Sequence, residues 1–168
     1  MLNFNLNANS FYAYMRQMQS QHKEMGKDKA DESRKHFFIG ELEDFYKGLK
    51  SLVLFPALVV EGFQISLSDD EQQTKYRESA FCVVFDYEQH SDYKQQIDCF
   101  SKSEDIGLEI LRRMAEDASE SVCPINITEV SGVPILNETD RYAGVRFSFS
   151  LSNANVTEID DNQWIIDN

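Results

Sequence analysis

The sequence predicts an α+β domain, a mainly antiparallel sheet of about four strands packed against two main helices, with an N-terminal helical arm. Three patterns predict it. Phe38, Leu42, Phe45, Leu49 and Leu52 recur at alternating four- and three-residue spacing, which places them on one helical face. Pro56 cannot continue that helix, and Phe55 before it is driven toward extended geometry, so the junction reads as helix stop and strand start. Late in the chain, Ala143, Val145, Phe147, Phe149 and Leu151 alternate with Tyr142, Gly144, Arg146, Ser148, Ser150 and Ser152, a strand with one buried and one wet or interfacial face.

Each element follows in order. Asn9 or Ser10 caps a first helix carrying Phe11, Met15, Met18, His22 and Met25 on one face. That face is thin; residues 1–33 read either as a helix capping its own domain or, the reading favoured, as an arm laid on another subunit, ahead of a core at 34–152 and an acidic tail at 153–168. After the Phe38–Leu52 helix, Ala57–Leu67 forms a strand, and Ser68–Thr74 is a polar turn long enough to project. Lys75–Tyr87 forms a second strand, apolar on both faces and therefore central.

Ser91 or Asp92 caps the longest helix. Its stripe is Tyr93, Ile97, Phe100, Leu108, Leu111, Ala115 and Ala118, flanked by Ile106, Ile110 and Met114. The polar run Ser101–Asp105 predicts a bend there, and Asp117 falls on the solvated face. Cys123–Pro124 ends the helix, Ile125–Val130 starts a third strand, and Gly132 and Pro134 predict a bulge or an edge.

The formal net charge of -13 disfavours sequence-independent binding to nucleic-acid phosphates. Residues 1–36 hold six bases against four acids, leaving ten bases against twenty-five acids in the remainder. A basic leader on an acidic body is a candidate pair of complementary patches. The first residues show neither a basic start nor an apolar run, and no stretch approaches the ~20 apolar residues of a membrane span, so a soluble protein without a signal peptide is expected. Cys82, Cys99 and Cys123 form no CxxC pair and read as reduced thiols. His22, His36 and His90 lack partners at metal-ligand spacing. Asp69, Asp70 and Glu71 lack the glycine-containing spacing of a calcium loop and read as a solvated turn. No phosphate loop, GxSxG or HExxH is present, so neither enzyme chemistry nor a metal or cofactor is expected.

The segments Lys35–Gly40 and Leu54–Glu61, the strand Ala80–Phe85, Gly144–Phe149 and the closing Ile159-Asp160 with Trp164 resemble tail-terminator and neck ring proteins of tailed phages, as found in phages and prophages of Bacteroides-type bacteria. The resemblance implies a structural virion protein that closes into a six- or twelve-fold ring between the head connector and the tail tube. Such a ring contacts portal-side and tail-tube proteins and passes DNA without specific binding, with no membrane partner. It also implies that Tyr142, Arg146, Ser148 and the Asp69–Thr74 loop lie at subunit or tube contacts. Phe11, Met15, Met18, Met25 and Trp164 would then be buried only in the assembly. A small adaptor binding one protein through its N-terminal helix is the alternative, and a cysteine hydrolase would need His90 beside a thiol in a pocket.

Overall fold

The computed structural model describes residues 8–26, 35–40, 52–67, 75–88, 93–119 and 129–153. Within them, two helices, α1 (Ala8–Gln21) and α2 (Tyr93–Ser119), pack on a mixed sheet of six strands. The strands are β1 (Lys35–Ile39), β2 (Val53–Val60), β3 (Gln64–Leu67), β4 (Lys75–Asp86), β5 (Ser131–Asn137) and β6 (Tyr142–Asn153). The order is β1-β2-β4-β6-β5, with β3 continuing the β2 side by pairing β4. All pairs are antiparallel except β1 with β2.

The α+β class stands, and the strand count rises from about four to six for identifiable reasons. Lys35–Ile39 is a strand rather than the start of the expected helix. Phe37 and Phe38 point to opposite faces, Phe37 onto the cluster under the helices and Phe38 onto the cluster on the far face. That two-sided burial outweighs the helical spacing of Phe38. Leu42, Phe45 and Leu49 lie outside the described residues. Leu52 is an exposed turn residue, and the next strand begins at Val53, so Phe55–Pro56, a cis peptide, lies inside β2.

Proline is tolerated there because the ladder is irregular. Lys35 pairs Val53 while Phe37 pairs Leu58, so β2 bulges around Pro56. The buried His36 ring donates from Nδ1 to the Pro56 carbonyl oxygen at 2.8 Å, which satisfies the group that the bulge displaces. The expected Ala57–Leu67 strand is in turn divided, because Glu61–Phe63 leaves the ladder before β3 resumes pairing with β4. Of the expected Ile125–Val130 strand, residues 125–128 lie outside the described residues, and the observed strand starts at Ser131. It carries Gly132 and Pro134 and ends the strand order, the edge position those residues favour.

α2 runs without a break through Ser101–Asp105. Ser103 faces the sheet fully buried, while Ser101, Lys102, Glu104 and Asp105 are exposed, so the polar run is a solvated face. The buried face comprises Cys99, Ser103, Ile106, Gly107, Ile110, Leu111, Met114 and Asp117, rotated from the most apolar stripe. Tyr93, Ile97 and Leu108 are left exposed. The rotation follows from Phe147, whose ring occupies the space a side chain at Gly107 would need. Its other edge faces Gly132, where an added Cβ would lie 3.3 Å away.

Candidate functional site

α1 belongs to the core of its own chain. Phe11, Met15, Met18 and Met25 are all buried, packed with Phe81, Phe149 and Ile110. The expectation that this stripe is covered only in an assembly is therefore corrected. Four apolar positions look thin in sequence, but the sheet meets them with aromatics, as in the Phe11–Phe149 ring pair at 6.2 Å. Polar contacts fix the same docking. The Tyr14 hydroxyl donates to Asp117 Oδ2 at 2.8 Å, and His22 Nε2 meets Glu109 Oε2 at 3.1 Å. Asp117, expected on the solvated face, is buried between Tyr14 and Arg113 Nε, the latter at 3.0 Å.

Tyr142 needs a second correction. It is 1% exposed rather than on an open face, because Phe55 covers it with ring centroids 5.4 Å apart. Arg146 and Ser148 remain on that side of the sheet and are partly accessible. Asp69, Asp70, Glu71 and Trp164 lie outside the described residues, as does His90. The structure thus keeps Arg146 and Ser148 together, and places the α1 stripe against the opposite face.

The best-defined polar constellation is built on Arg146. Register aligns Val59, Cys82 and Arg146 across β2, β4 and β6, and Glu61 follows just beyond the end of β2. Arg146 donates to Glu61 through Nε to Oε1 at 2.8 Å and through Nη2 to Oε2 at 2.7 Å, a two-bond fork. The Glu61 side chain is 10% exposed and that of Arg146 37%. Cys82 Sγ also donates to Glu61 Oε1 at 3.6 Å. Glu61 is the only charge in Val53–Leu67 and Arg146 the only one in Tyr142–Asn153. That opposite-sign pattern was the available signal for the pair, and sequence reasoning missed it. A cleft of about 310 Å³ opens beside the fork, lined also by Gln64, Glu78, Glu129 and Ser148. Ser148 shares a 2.7 Å hydroxyl contact with Ser131 of β5. Chemically, this arrangement stitches β2 to β6 across β4, with both carboxylate oxygens engaged.

A larger cavity of about 640 Å³ lies at the other end, where Phe55, Tyr87 and Tyr142 meet Asp86, Asp98 and Lys102 beside Cys99. Burial pushes the Cys99 thiol up, with Asp86 and Asp98 adding to the effect and Lys102 opposing it. Burial likewise pushes Cys82 up strongly, reinforced by the Glu61 carboxylate. Neither thiol is activated. An alkylating reagent at pH 8 is expected to label Cys82 at the rate of global unfolding, and more slowly than Cys99 beside its cavity, which mass spectrometry of the quenched protein reads directly. The sign of the pH dependence follows. In the unfolded chain these thiols ionise near an ordinary pKa of about 8.5, whereas the folded ones stay protonated, so their contribution is full below that value and is lost as pH rises above it.

Besides Tyr93, Ile97 and Leu108 on α2, exposed apolar residues lie at the two sides of the sheet. On β5, Val133 is 54% exposed and Leu136 is also exposed; on the opposite side Ile39 is 55% exposed, with Ile65 of β3 similar. No helix among the described residues is long and apolar enough to cross a membrane. No group of metal-ligating side chains occurs among the described residues. Comparison with protein-family models and with curated proteins gives no match to this chain.

Proposed function

We propose that this protein is a structural subunit that closes with copies of itself into a ring at the head-tail junction of a tailed phage, as a tail terminator or neck ring. One observation supports the assembly part. The sheet presents apolar residues on two dissimilar edges, Val133 and Leu136 on one and Ile39 and Ile65 on the other. A closed heterologous ring needs two different patches on each subunit, whereas a two-fold dimer needs one patch repeated. The phage part rests on the sequence resemblance described above. In this reading the ring is six- or twelve-fold, its neighbours are the portal-side and tail-tube proteins, and DNA passes through it. The overall charge of -13 suits a channel that does not hold phosphates.

The adaptor reading, in which the N-terminal helix binds a partner, would require α1 to leave the core that buries Phe11 and Met15. Pro134 removes a ladder donor within β5, so the contact proposed at that edge is made by side chains more than by added backbone pairing. Val133→Lys together with Leu136→Lys is expected to weaken self-association at least tenfold while leaving the melting temperature nearly unchanged, since both side chains are exposed. The functional test is particle composition. The chain is expected in purified virions at a fixed six or twelve copies relative to the portal, and its absence from virions would end this reading.

A further inference from the structure

Arg77 and Ser79 stand out among the charged and polar groups of the core. Strand geometry puts them on the same face of β4, about 7 Å apart. Arg77 is 4% and Ser79 is 6% exposed. The Arg77 Nε and Nη1 atoms and the Ser79 hydroxyl oxygen are buried without a hydrogen-bond partner. Buried donors of this kind are rare in native proteins, and a guanidinium among them is rarer still.

Among the described residues, aromatic side chains flank the cation. The guanidinium carbon lies 4.2 Å from the centre of the Phe63 ring, and Tyr12 of α1 packs against the same ring in a tilted arrangement, with centroids 6.1 Å apart. Aromatic faces attract a cation while leaving its in-plane N–H groups unsatisfied. Among the described residues Arg77 is the most buried arginine, and its Nε and Nη1 have no hydrogen-bond partner. The contrast with Arg146, which holds a carboxylate in a two-bond fork, is direct. Cover over Arg77 is thin on one side, since its β3 register partner Ile65 is 49% exposed.

We propose that Arg77 and Ser79 form a receptor for an oxyanion, a carboxylate or phosphate group, at the edge of the core beside Tyr12. The Arg77 guanidinium and the Ser79 hydroxyl lie on one strand face with donors unsatisfied, and the Phe63 ring packs against the guanidinium. Two sources carry that chemistry: a free anion such as inorganic phosphate, or an acidic side chain of a second copy of this chain. The second source rests on the ring reading above; the first does not.

The test uses the full chain and two variants, Arg77→Met and Ser79→Ala. Melting temperature is followed while sodium phosphate replaces sodium chloride at constant ionic strength, and particle mass is measured in parallel. For a free anion, phosphate raises the wild-type melting temperature by several degrees without changing mass. That response is lost in Arg77→Met and reduced several-fold in Ser79→Ala. For a carboxylate from a second copy, wild type self-associates, Arg77→Met falls to monomer at the same concentration, and phosphate competes with association. For a free anion, Arg77→Met in chloride melts no lower than wild type, because an unpaired buried charge has been removed; for a second copy's carboxylate it melts lower, because the stabilising association is lost. Ser79→Ala, a smaller change, preserves the readout if Arg77→Met does not fold. The proposal is overturned if neither phosphate response nor association differs between wild type and the variants. A monomeric wild type that still responds to phosphate through Arg77 would refute the ring reading and leave the receptor standing.

Discussion

Alanine at position 144 is expected to cost about 3 kcal/mol or more and to disrupt the pairing of β4 with β6. Gly144 pairs Val84 in the long central ladder. An added Cβ there would overlap the Val83 carbonyl oxygen and lie 3.0 Å from the Val84 Cα. Both are backbone atoms of a strand buried on its two faces, so no rotamer change relieves the clash. Gly107→Ala is the informative comparison. Its added Cβ meets the Phe147 ring, a side chain that can shift, and alanine gains up to about 1 kcal/mol of helix propensity over glycine. Urea unfolding should therefore rank Gly144→Ala well below Gly107→Ala. A Gly144→Ala protein within about 0.5 kcal/mol of wild type would contradict the close strand approach.

The second large effect concerns Glu61 and Arg146, and it is asymmetric. Truncating Arg146 leaves a carboxylate that is 10% exposed without its cation; truncating Glu61 leaves a guanidinium that is 37% exposed and able to recover water. Breaking a buried pair costs about 3–5 kcal/mol, and the exposed side of this one discounts that range. Arg146→Ala is expected near about 3 kcal/mol and Glu61→Ala near about 1–2 kcal/mol. The double variant should cost less than the two single losses added together, because the second truncation removes the group stranded by the first. Equal losses for the two single variants, or strict additivity, would show that the fork does not act as a unit.

Much of the fold was legible where pattern and burial agree. β6 alternates because one face meets the helices, and Phe147, Phe149 and Leu151 are buried there as the alternation requires. β4 is apolar on both faces because two clusters flank it, one through Phe81 and Val83 and the other through Cys82 and Val84. The start of the helix expected from Phe38 was misread for a physical reason. Its spacing is helical, but Phe37 and Phe38 each find an apolar partner surface only when the chain is extended, and parallel pairing with β2 supplies the missing hydrogen bonds. Such nonlocal pairing leaves no local signature.

Site residues were less legible for the same reason. Met15 and Met18 look like a weak surface stripe until the aromatic floor of the sheet is known. Tyr142 alternates with the polar residues of its strand and is buried only because β2 brings Phe55 over it. Glu61 and Arg146 are 85 residues apart, and only the strand order β2-β4-β6 joins them. Their isolation as lone charges in apolar strands was the visible cue.

These corrections reshape the assembly account. With α1 buried in its own chain, the surfaces offered for self-association move to the sheet edges, at Val133 and Leu136 on one side and Ile39 and Ile65 on the other. Charge repulsion among copies carrying -13 each works against association at low salt, so a ring of this chain should tighten as ionic strength rises to physiological values. The most direct measurement is the mass of the purified full chain by native mass spectrometry or sedimentation velocity across a concentration series. The account predicts a single closed species at six or twelve times 19.4 kDa, reduced to subunits by lysines at positions 133 and 136. A protein that stays at 19.4 kDa at every concentration and salt would contradict it.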